Sequence, residues 1–189
     1  MKFKQLDITG FKSFYEKTTF LIENGLTGIV GPNGCGKSNI VESLRWCMGE
    51  NSAKSMRGSG MEDVIFSGTS NKPSKNISEV ALMLDNQNKE GPALYKEFDE
   101  ILIKRKIERD KGSKYYINDK EVRARDVQTL FADWSTGAHS PSLISQGKIG
   151  QLVTAKPIER KSILEEAAGI SGIHARNQEA ETRLNLSLI

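Results

Sequence analysis

The chain has 189 residues, of which 37% are hydrophobic and 27% charged, and its 27 basic and 24 acidic residues leave a net charge of +3. At roughly 100–200 residues per domain, this length predicts one domain. The ordinary content of 17 Gly and 5 Pro excludes collagen-like and low-complexity classes, and the hydrophobic fraction predicts a real core and argues against wholesale disorder. No apolar stretch approaches the roughly 20 residues of a membrane helix, and residues 1–20 lack the apolar block of a signal peptide. We therefore expect a soluble, cytoplasmic protein with no membrane partner, in which both cysteines are reduced thiols.

The first thirty residues predict a series of strands. Alternation around Leu6 and the run Thr18–Ile22, rich in Thr and large apolar residues, both favour strands. The pair Asn24-Gly25 between two such runs predicts a hairpin turn into a further strand, Leu26–Val30. This last strand leads directly into a glycine-rich segment.

The glycine-rich segment Gly31–Ser38 matches the phosphate-binding loop completely, and apolar residues at helical spacing predict a helix after it that ends at Gly49. Glycines let consecutive backbone N–H groups face one anion at a helix N-terminus. Lys37 would bridge the β- and γ-phosphates of a nucleotide, and the Ser38 hydroxyl would hold Mg2+. The order of strand, loop and helix therefore predicts nucleotide binding, with a chance glycine turn as the alternative.

The rest of the chain predicts an antiparallel meander followed by helices. Val80–Leu84, Ile101–Ile107 and Tyr115–Ile117 favour strands, Val127–Trp134 favours a short helix, and Pro157 suits the first turn of another.

Hydrolysis of a nucleotide also needs an acid at the end of a strand, to hold the metal ion. Asp85 lacks the usual neighbouring Glu, and the pair Asp99-Glu100 lacks a preceding apolar strand, so we interpret them as strand-end or turn residues. The hydrolytic half of the site is therefore not visible in this sequence.

Eight segments spread over nearly the whole chain form a specific pattern: Gly10–Phe14, Gly31–Asn39, Leu44–Trp46, Met48–Glu50, Ser55–Gly58, Met61–Phe66, Ser145–Ile149 and Glu165–Ile170. The pattern resembles the bacterial SMC (structural maintenance of chromosomes) family. The resemblance implies an α/β P-loop NTPase fold, namely an ABC-ATPase-type head lobe with a mixed β-sheet, an antiparallel meander and a C-terminal helix that begins a coiled coil. Residues 1–156 would form the N-terminal lobe of the head, and residues 157–189 the neck helix.

In this family the head is assembled from both ends of one long polypeptide. The C-terminal part, reached after a long antiparallel coiled coil and a hinge, supplies the signature motif and the acidic strand, and neither is found in this chain. We therefore expect the chain alone to bind ATP weakly and to have no meaningful turnover.

The resemblance assigns roles to individual residues. Gln146 would contact Mg2+ and sense the γ-phosphate, with a buried structural role as the alternative. Arg57 would lie beside the nucleotide and couple DNA contact to hydrolysis, with glycines at 58 and 60 allowing movement; its alternative is a solvated loop cation. Lys12, Ser13 and Asp63 would lie near the base and ribose, in segments whose phenylalanines would also serve as core. The loop contacts would be Gly31, Pro32, Asn33, Gly34, Cys35, Gly36, Lys37, Ser38 and Asn39.

Basic residues crowd the predicted meander: Lys104, Arg105, Lys106, Arg109, Lys111 and Lys114. Paired heads of the family present a basic surface to the DNA backbone, and we favour Arg123 and Arg125 for sequence-independent contact with double-stranded DNA. The alternative is that exposed basic residues serve solubility, because acidic residues are interspersed among them.

The resemblance implies four protein and nucleic-acid partners: the C-terminal lobe of the same chain, a second SMC subunit in a homodimer, a kleisin subunit with its winged-helix partner, and double-stranded DNA. The expected cofactors are ATP and Mg2+, and the expected location is cytoplasmic and nucleoid-associated. ATP binding would engage two heads, and hydrolysis would drive DNA loading and translocation in chromosome condensation and segregation. Two alternatives stay open: a coiled-coil ATPase of double-strand-break repair, and a DNA-binding scaffold with a structural nucleotide.

Overall fold

The computed structural model describes residues 2–89, 93–133 and 153–168, together with Leu143, Gly150 and Asn177. The chain divides into two compact units, Met1–Val127 and Gln128–Ile189. The predicted lobe boundary at residues 156/157 is not tested by this division and stays a prediction. Within the described residues no helix has both the length and the apolar character needed to cross a membrane.

The first unit is built on six strands: β1 (Lys2–Thr9), β2 (Thr18–Leu21), β3 (Ile77–Asp85), β4 (Glu100–Glu108), β5 (Gly112–Ile117) and β6 (Lys120–Val122). They form one sheet in the order β2-β1-β3-β4-β5-β6, and all five strand pairings in it are antiparallel. The described residues therefore form an antiparallel sheet and not the mixed sheet that the resemblance implied. Strands β3 to β6 are neighbours in both sequence and space, which confirms the predicted antiparallel meander. Short 3-10 turns occupy Lys54–Met56, Met61–Val64 and Ala93–Tyr95.

The core lies between one face of the sheet and helix α1 (Lys37–Cys47), which contacts β3 and β4. Alternate residues of the strands point to this face, as the period of two requires, and are almost completely buried. Cys47 is completely buried in this core, with Sγ at 3.6 Å from the carbonyl oxygens of Val80 and Ile103. The helix ends where the sequence predicts, because Gly49 at φ +104° adopts a conformation that suits only glycine.

One buried position of β4 holds a cation. The guanidinium of Arg105 lies between the rings of Trp46 and Tyr115, 4.5 and 4.7 Å from their centroids. Its Nη1 donates hydrogen bonds to the carbonyl oxygens of Trp46 and Glu50, at 2.8 and 2.7 Å, and burial lowers the pKa of Arg105. Arg105 therefore joins the C-terminal end of α1 to the sheet, and its inclusion among the surface cations of the meander is wrong.

The predicted strand Leu26–Val30 and the hairpin at Asn24-Gly25 are also wrong. Residues 22–36 contain no strand, and β2 pairs with β1 instead. Leu26 is fully exposed and Val30 is 94% exposed. An apolar strand needs neighbours on both edges and cover on its faces, and the described residues provide neither for this segment.

Two further helices are described. Helix α2 (Ala124–Asp133) begins before the predicted helix, because the Asp126 carboxylate accepts a hydrogen bond from the backbone N–H of Arg123, at 2.9 Å. Helix α3 (Pro157–Ala167) begins at the predicted proline. Its side chains Ile158 and Leu164 are exposed, at 83% and 69%. The continuation into a coiled coil falls outside the described residues and stays a prediction.

Candidate nucleotide-binding site

The glycine-rich loop delivers its backbone to the N-terminus of α1. Gly36 precedes the helix at φ +97°, and a Cβ added there would lie 2.5 Å from Ser13 Oγ, so only glycine fits. No side chain caps this N-terminus, and no acidic residue lies in the first turn of α1. A helix N-terminus of this kind favours an anion, because its backbone N–H groups and the helix dipole are both oriented towards the ligand.

Lys37 places its ammonium over the same loop. Its Nζ donates hydrogen bonds to the carbonyl oxygens of Gly31 and Pro32, at 2.6 and 2.7 Å, and lies 3.9 Å from Cys35 Sγ. Ser38 follows as the second residue of the helix and is exposed. A nucleotide with Mg2+ fits these residues: glycines admit the phosphates, the ammonium is adjacent, and one hydroxyl is available to the metal ion. Among the described residues no three His, Cys, Asp or Glu side chains form a metal site of their own.

Two further predicted residues are linked to the loop through Asn39. The Asn39 side-chain amide donates a hydrogen bond to Ser13 Oγ at 2.9 Å and accepts one from Arg57 Nη2 at 3.0 Å. The structure thus brings together Ser13, Asn39 and Arg57, which the sequence places in three separate segments.

Glu42 is a member of this site that the sequence did not reveal. Its carboxylate pairs with Lys12 Nζ through one oxygen and with Arg57 Nε through the other. The Lys12 ammonium also donates a hydrogen bond to the carbonyl oxygen of Met56. In the sequence, nothing distinguishes Glu42 from an ordinary glutamate on the exposed side of a helix.

Asp63 shapes the loop that carries Arg57. Its Oδ2 accepts hydrogen bonds from the backbone N–H and hydroxyl of Ser59, at 2.7 and 2.9 Å, and from the backbone N–H of Gly60, at 2.9 Å. These bonds, the one from Gly60 above all, lower the pKa of Asp63. The loop after Arg57 is therefore anchored, and a direct contact between Asp63 and a nucleotide stays a prediction.

The acidic residues interpreted as strand-end groups have that place in the structure. Asp85 ends β3, and its Oδ1 accepts a hydrogen bond from the backbone N–H of Gln87 at 2.9 Å. Glu100 begins β4 and pairs with Lys4. Gln146, predicted to contact Mg2+, falls outside the described residues.

The candidate DNA contacts lie at the start of α2. Arg123 and Arg125 are both exposed, and neither forms an ion pair with another of the described residues. Several lysines of the meander are instead paired with acidic neighbours: Lys104 with Asp119, Lys111 with Glu108, and Lys114 with Glu121. The preference for Arg123 and Arg125 thus agrees with their surroundings but stays a prediction.

Fold and phosphate loop together define the class of this protein. The chain belongs to the RecF/RecN/SMC N terminal domain family, whose sequence model matches residues 2–148. It is 59% identical to the chromosome partition protein Smc of Cereibacter sphaeroides and 57% identical to that of Rhodopseudomonas palustris, over 97% of its own length in each case. It spans only 16% of the length of each of these relatives.

Solved structures agree with this assignment. A structure described as an Smc head bound to the C-winged helix domain of ScpA matches with a TM-score of 0.83 and 30% identity, over 94% of this chain and 53% of that one. An Smc head with a coiled coil and joint from Pyrococcus yayanosii matches with a TM-score of 0.78 and 32% identity, over 97% of this chain and 35% of that one. The resemblance to SMC proteins and the fold class, an α/β lobe of an ABC-type ATPase head, are confirmed.

Proposed function

We propose that this lobe binds ATP and Mg2+ as the N-terminal half of an SMC ATPase head in the complete protein. Its hydrolytic cycle would drive DNA loading and translocation for chromosome condensation and segregation. The observation that carries the proposal is the glycine loop with Lys37, which leads into a helix N-terminus that no side chain caps. Family membership and the similarity to chromosome partition proteins support it.

The residues of the loop divide the work on the phosphates. With a nucleotide bound, the Lys37 ammonium would exchange the carbonyl oxygens of Gly31 and Pro32 for phosphate oxygens, which are stronger partners because they are charged. The Ser38 hydroxyl and Gln146 would hold Mg2+, which would supply positive charge to the departing phosphoryl group. Arg57 would supply further positive charge beside the nucleotide.

The exposed segment Leu26–Val30 supports a head completed by the C-terminal lobe of the same polypeptide. Five residues of strand-forming composition lie outside any sheet, and Leu26 and Val30 are almost fully exposed. Strands from the proposed C-terminal lobe would supply the backbone partners and the apolar cover that this segment does not find among the described residues. Completion by that lobe would also add the signature motif and the acidic strand, so that turnover requires the whole head.

The proposed assembly extends beyond one chain. Two heads in a homodimer would enclose the nucleotides, and a kleisin subunit with its winged-helix partner would join them, in the cytoplasm and associated with the nucleoid. The similarity to an Smc head bound to the C-winged helix domain of ScpA supports a kleisin partner.

ATP turnover of the full-length protein, measured with and without double-stranded DNA, tests this proposal. We expect hydrolysis by the full-length protein and none above background by residues 1–189 alone, because the acidic strand is absent from them. Robust, Lys37-dependent hydrolysis by the isolated chain would contradict the composite head. A full-length protein that binds ATP without turning it over would favour a scaffold with a structural nucleotide.

Reversing the charge of both Arg123 and Arg125 to glutamate is expected to weaken DNA binding by the full-length dimer about tenfold at low salt. The slope of log affinity against log salt should also fall by about 0.9 for each DNA phosphate that the variant no longer neutralises. The matched control reverses the exposed lysines Lys2 and Lys96, which changes the net charge equally. An equal loss of DNA affinity in the two double variants would show a general effect of charge. If the Arg123 and Arg125 variant lost no affinity at low salt, these two residues would not be DNA contacts.

A further inference from the structure

Glu42 is a buried carboxylate on an otherwise largely apolar helix face. The residue is only 8% exposed, and its fellow buried residues on α1 include Ile40, Trp46 and Cys47. A buried charge is stable only when partners replace its lost hydration. The partners of Glu42 therefore indicate what the carboxylate is there to hold.

Two cations from different segments share this carboxylate. Lys12, from the β1–β2 connection, bonds one oxygen and is itself largely enclosed, with 14% of its side chain exposed. Arg57 bonds the other oxygen through Nε and remains 58% exposed. Lys12 is thus the inner partner, while Arg57 is fixed in position and still reachable by a ligand from solvent.

The backbone at both cations is unusual in the same way. Lys12 has φ +46° and Arg57 has φ +56°, left-handed conformations that side-chain-bearing residues rarely adopt. Each backbone is tied down, Lys12 by a 2.7 Å hydrogen bond to the carbonyl of Val64 and Arg57 by a 3.0 Å bond to that of Lys54. Such strain persists only where surrounding contacts fix it, and it is common at functional sites.

The cluster continues into the phosphate loop. Arg57 Nη2 donates to Asn39, Asn39 donates to Ser13, and Ser13 Oγ lies against Gly36, the last loop residue before α1. The guanidinium is therefore held at two points, Glu42 and Asn39, both on the helix that begins at the phosphate site. Two cations on one carboxylate leave the cluster with a positive charge.

We propose that Glu42 is a positioning residue of the nucleotide site: it holds the Arg57 guanidinium, with Lys12 as its inner counter-ion, beside the first two turns of α1, which begin at the phosphate loop. The inference rests on the proposed function, since it needs ATP as the ligand of this loop. Glu42 touches no substrate and acts through Arg57. Neutralising it would release Arg57 from one of its two anchors.

The test is a double-mutant cycle in the full-length protein, with KM and kcat for ATP measured in the presence of DNA. Glu42→Gln is expected to lower kcat/KM about tenfold, as Arg57→Ala does, because one charge-assisted bond sets the position of the guanidinium. The double variant should be no slower than Arg57→Ala alone, since both changes remove the same interaction. Glu16→Gln, which removes an exposed carboxylate paired with Lys72 at 3.4 Å, is the matched control and should leave the kinetics unchanged.

Glu42→Asp covers the case in which Glu42→Gln does not fold. It keeps the buried negative charge but draws the carboxylate back by one methylene from Arg57 and from Lys12 alike, and we expect about a threefold loss of kcat/KM that disappears in the Arg57→Ala background. The role of Glu42 would be overturned if the losses from the Glu42 and Arg57 substitutions were additive in the double variant. It would also be overturned if Arg57→Ala, or a folded Glu42→Gln, had wild-type kinetics. Neither result would question ATP hydrolysis itself. A wild-type protein that neither binds nor hydrolyses ATP would instead overturn the proposed function itself.

Discussion

Replacing Lys37 by isoleucine is expected to weaken ATP binding by the full-length protein roughly a hundredfold or more. The ammonium already lies over the phosphate loop, bonded to the carbonyl oxygens of Gly31 and Pro32. Its loss would remove at least two charge-assisted bonds to phosphate and leave the loop without its own point charge. Equilibrium binding of a fluorescent ATP analogue measures this change directly.

The matched control is Lys17→Ile, which removes an exposed lysine that pairs with Asp7 at 3.0 Å on the opposite side of the sheet from the core. The affinity of the Lys17→Ile variant for ATP should stay at the wild-type value. Unchanged affinity in Lys37→Ile would refute the role of Lys37, and a loss in both variants would indicate that the lobe had unfolded rather than lost a ligand.

The two cysteines are expected to differ more than a hundredfold in their rate of alkylation at pH 8. Cys35 is exposed in the phosphate loop, whereas Cys47 is buried against the sheet, and burial raises the pKa of Cys47 to about 12. A raised pKa favours the unreactive neutral thiol, so only about one Cys47 side chain in ten thousand is a thiolate at pH 8. The labelled peptides of the full-length protein, separated by mass spectrometry, report each rate.

Saturating ATP should slow the alkylation of Cys35 about tenfold or more, because the phosphates close the loop around its side chain. ADP gives a second test of the same loop, and adenosine, which has no phosphate, is the matched control and should not protect. Protection of Cys35 by adenosine would contradict phosphate binding as the cause of protection. Separately, rapid labelling of Cys47 would contradict its burial between α1 and the sheet.

Features that depend on residues close together in the sequence were predictable. The phosphate loop and α1 follow from glycine, lysine and apolar spacing within twenty residues, and the meander follows because consecutive strands pair with each other. The predicted strand at Leu26–Val30, in contrast, is not formed by the described residues. Its composition favours a strand, but a strand exists only with partners, and those partners are not among the described residues.

The charged residues were predicted least well, because burial depends on contacts distant in sequence. Arg105 stands in a run of surface-like cations, yet an aromatic pair and the carbonyls at the end of α1 take it into the core. Glu42 pairs with Lys12 and Arg57, which are thirty and fifteen residues away in the sequence. Its position on the helix does not predict either ion pair. The positions of Ser13 and Arg57 were suggested only by family resemblance, and the structure explains them through Asn39.

Ribosomes would synthesise Leu26–Val30 long before the proposed partner lobe exists. This chain spans 16% of the length of its relatives, and a polypeptide of the remaining length takes about one to three minutes to translate. During that time an apolar segment with unpaired backbone groups would be exposed to chaperones. It would also be exposed to the C-terminal lobes of neighbouring nascent chains. For a head completed as proposed above, polysomes would offer a route by which the N-terminal lobe of one chain acquires the C-terminal lobe of another.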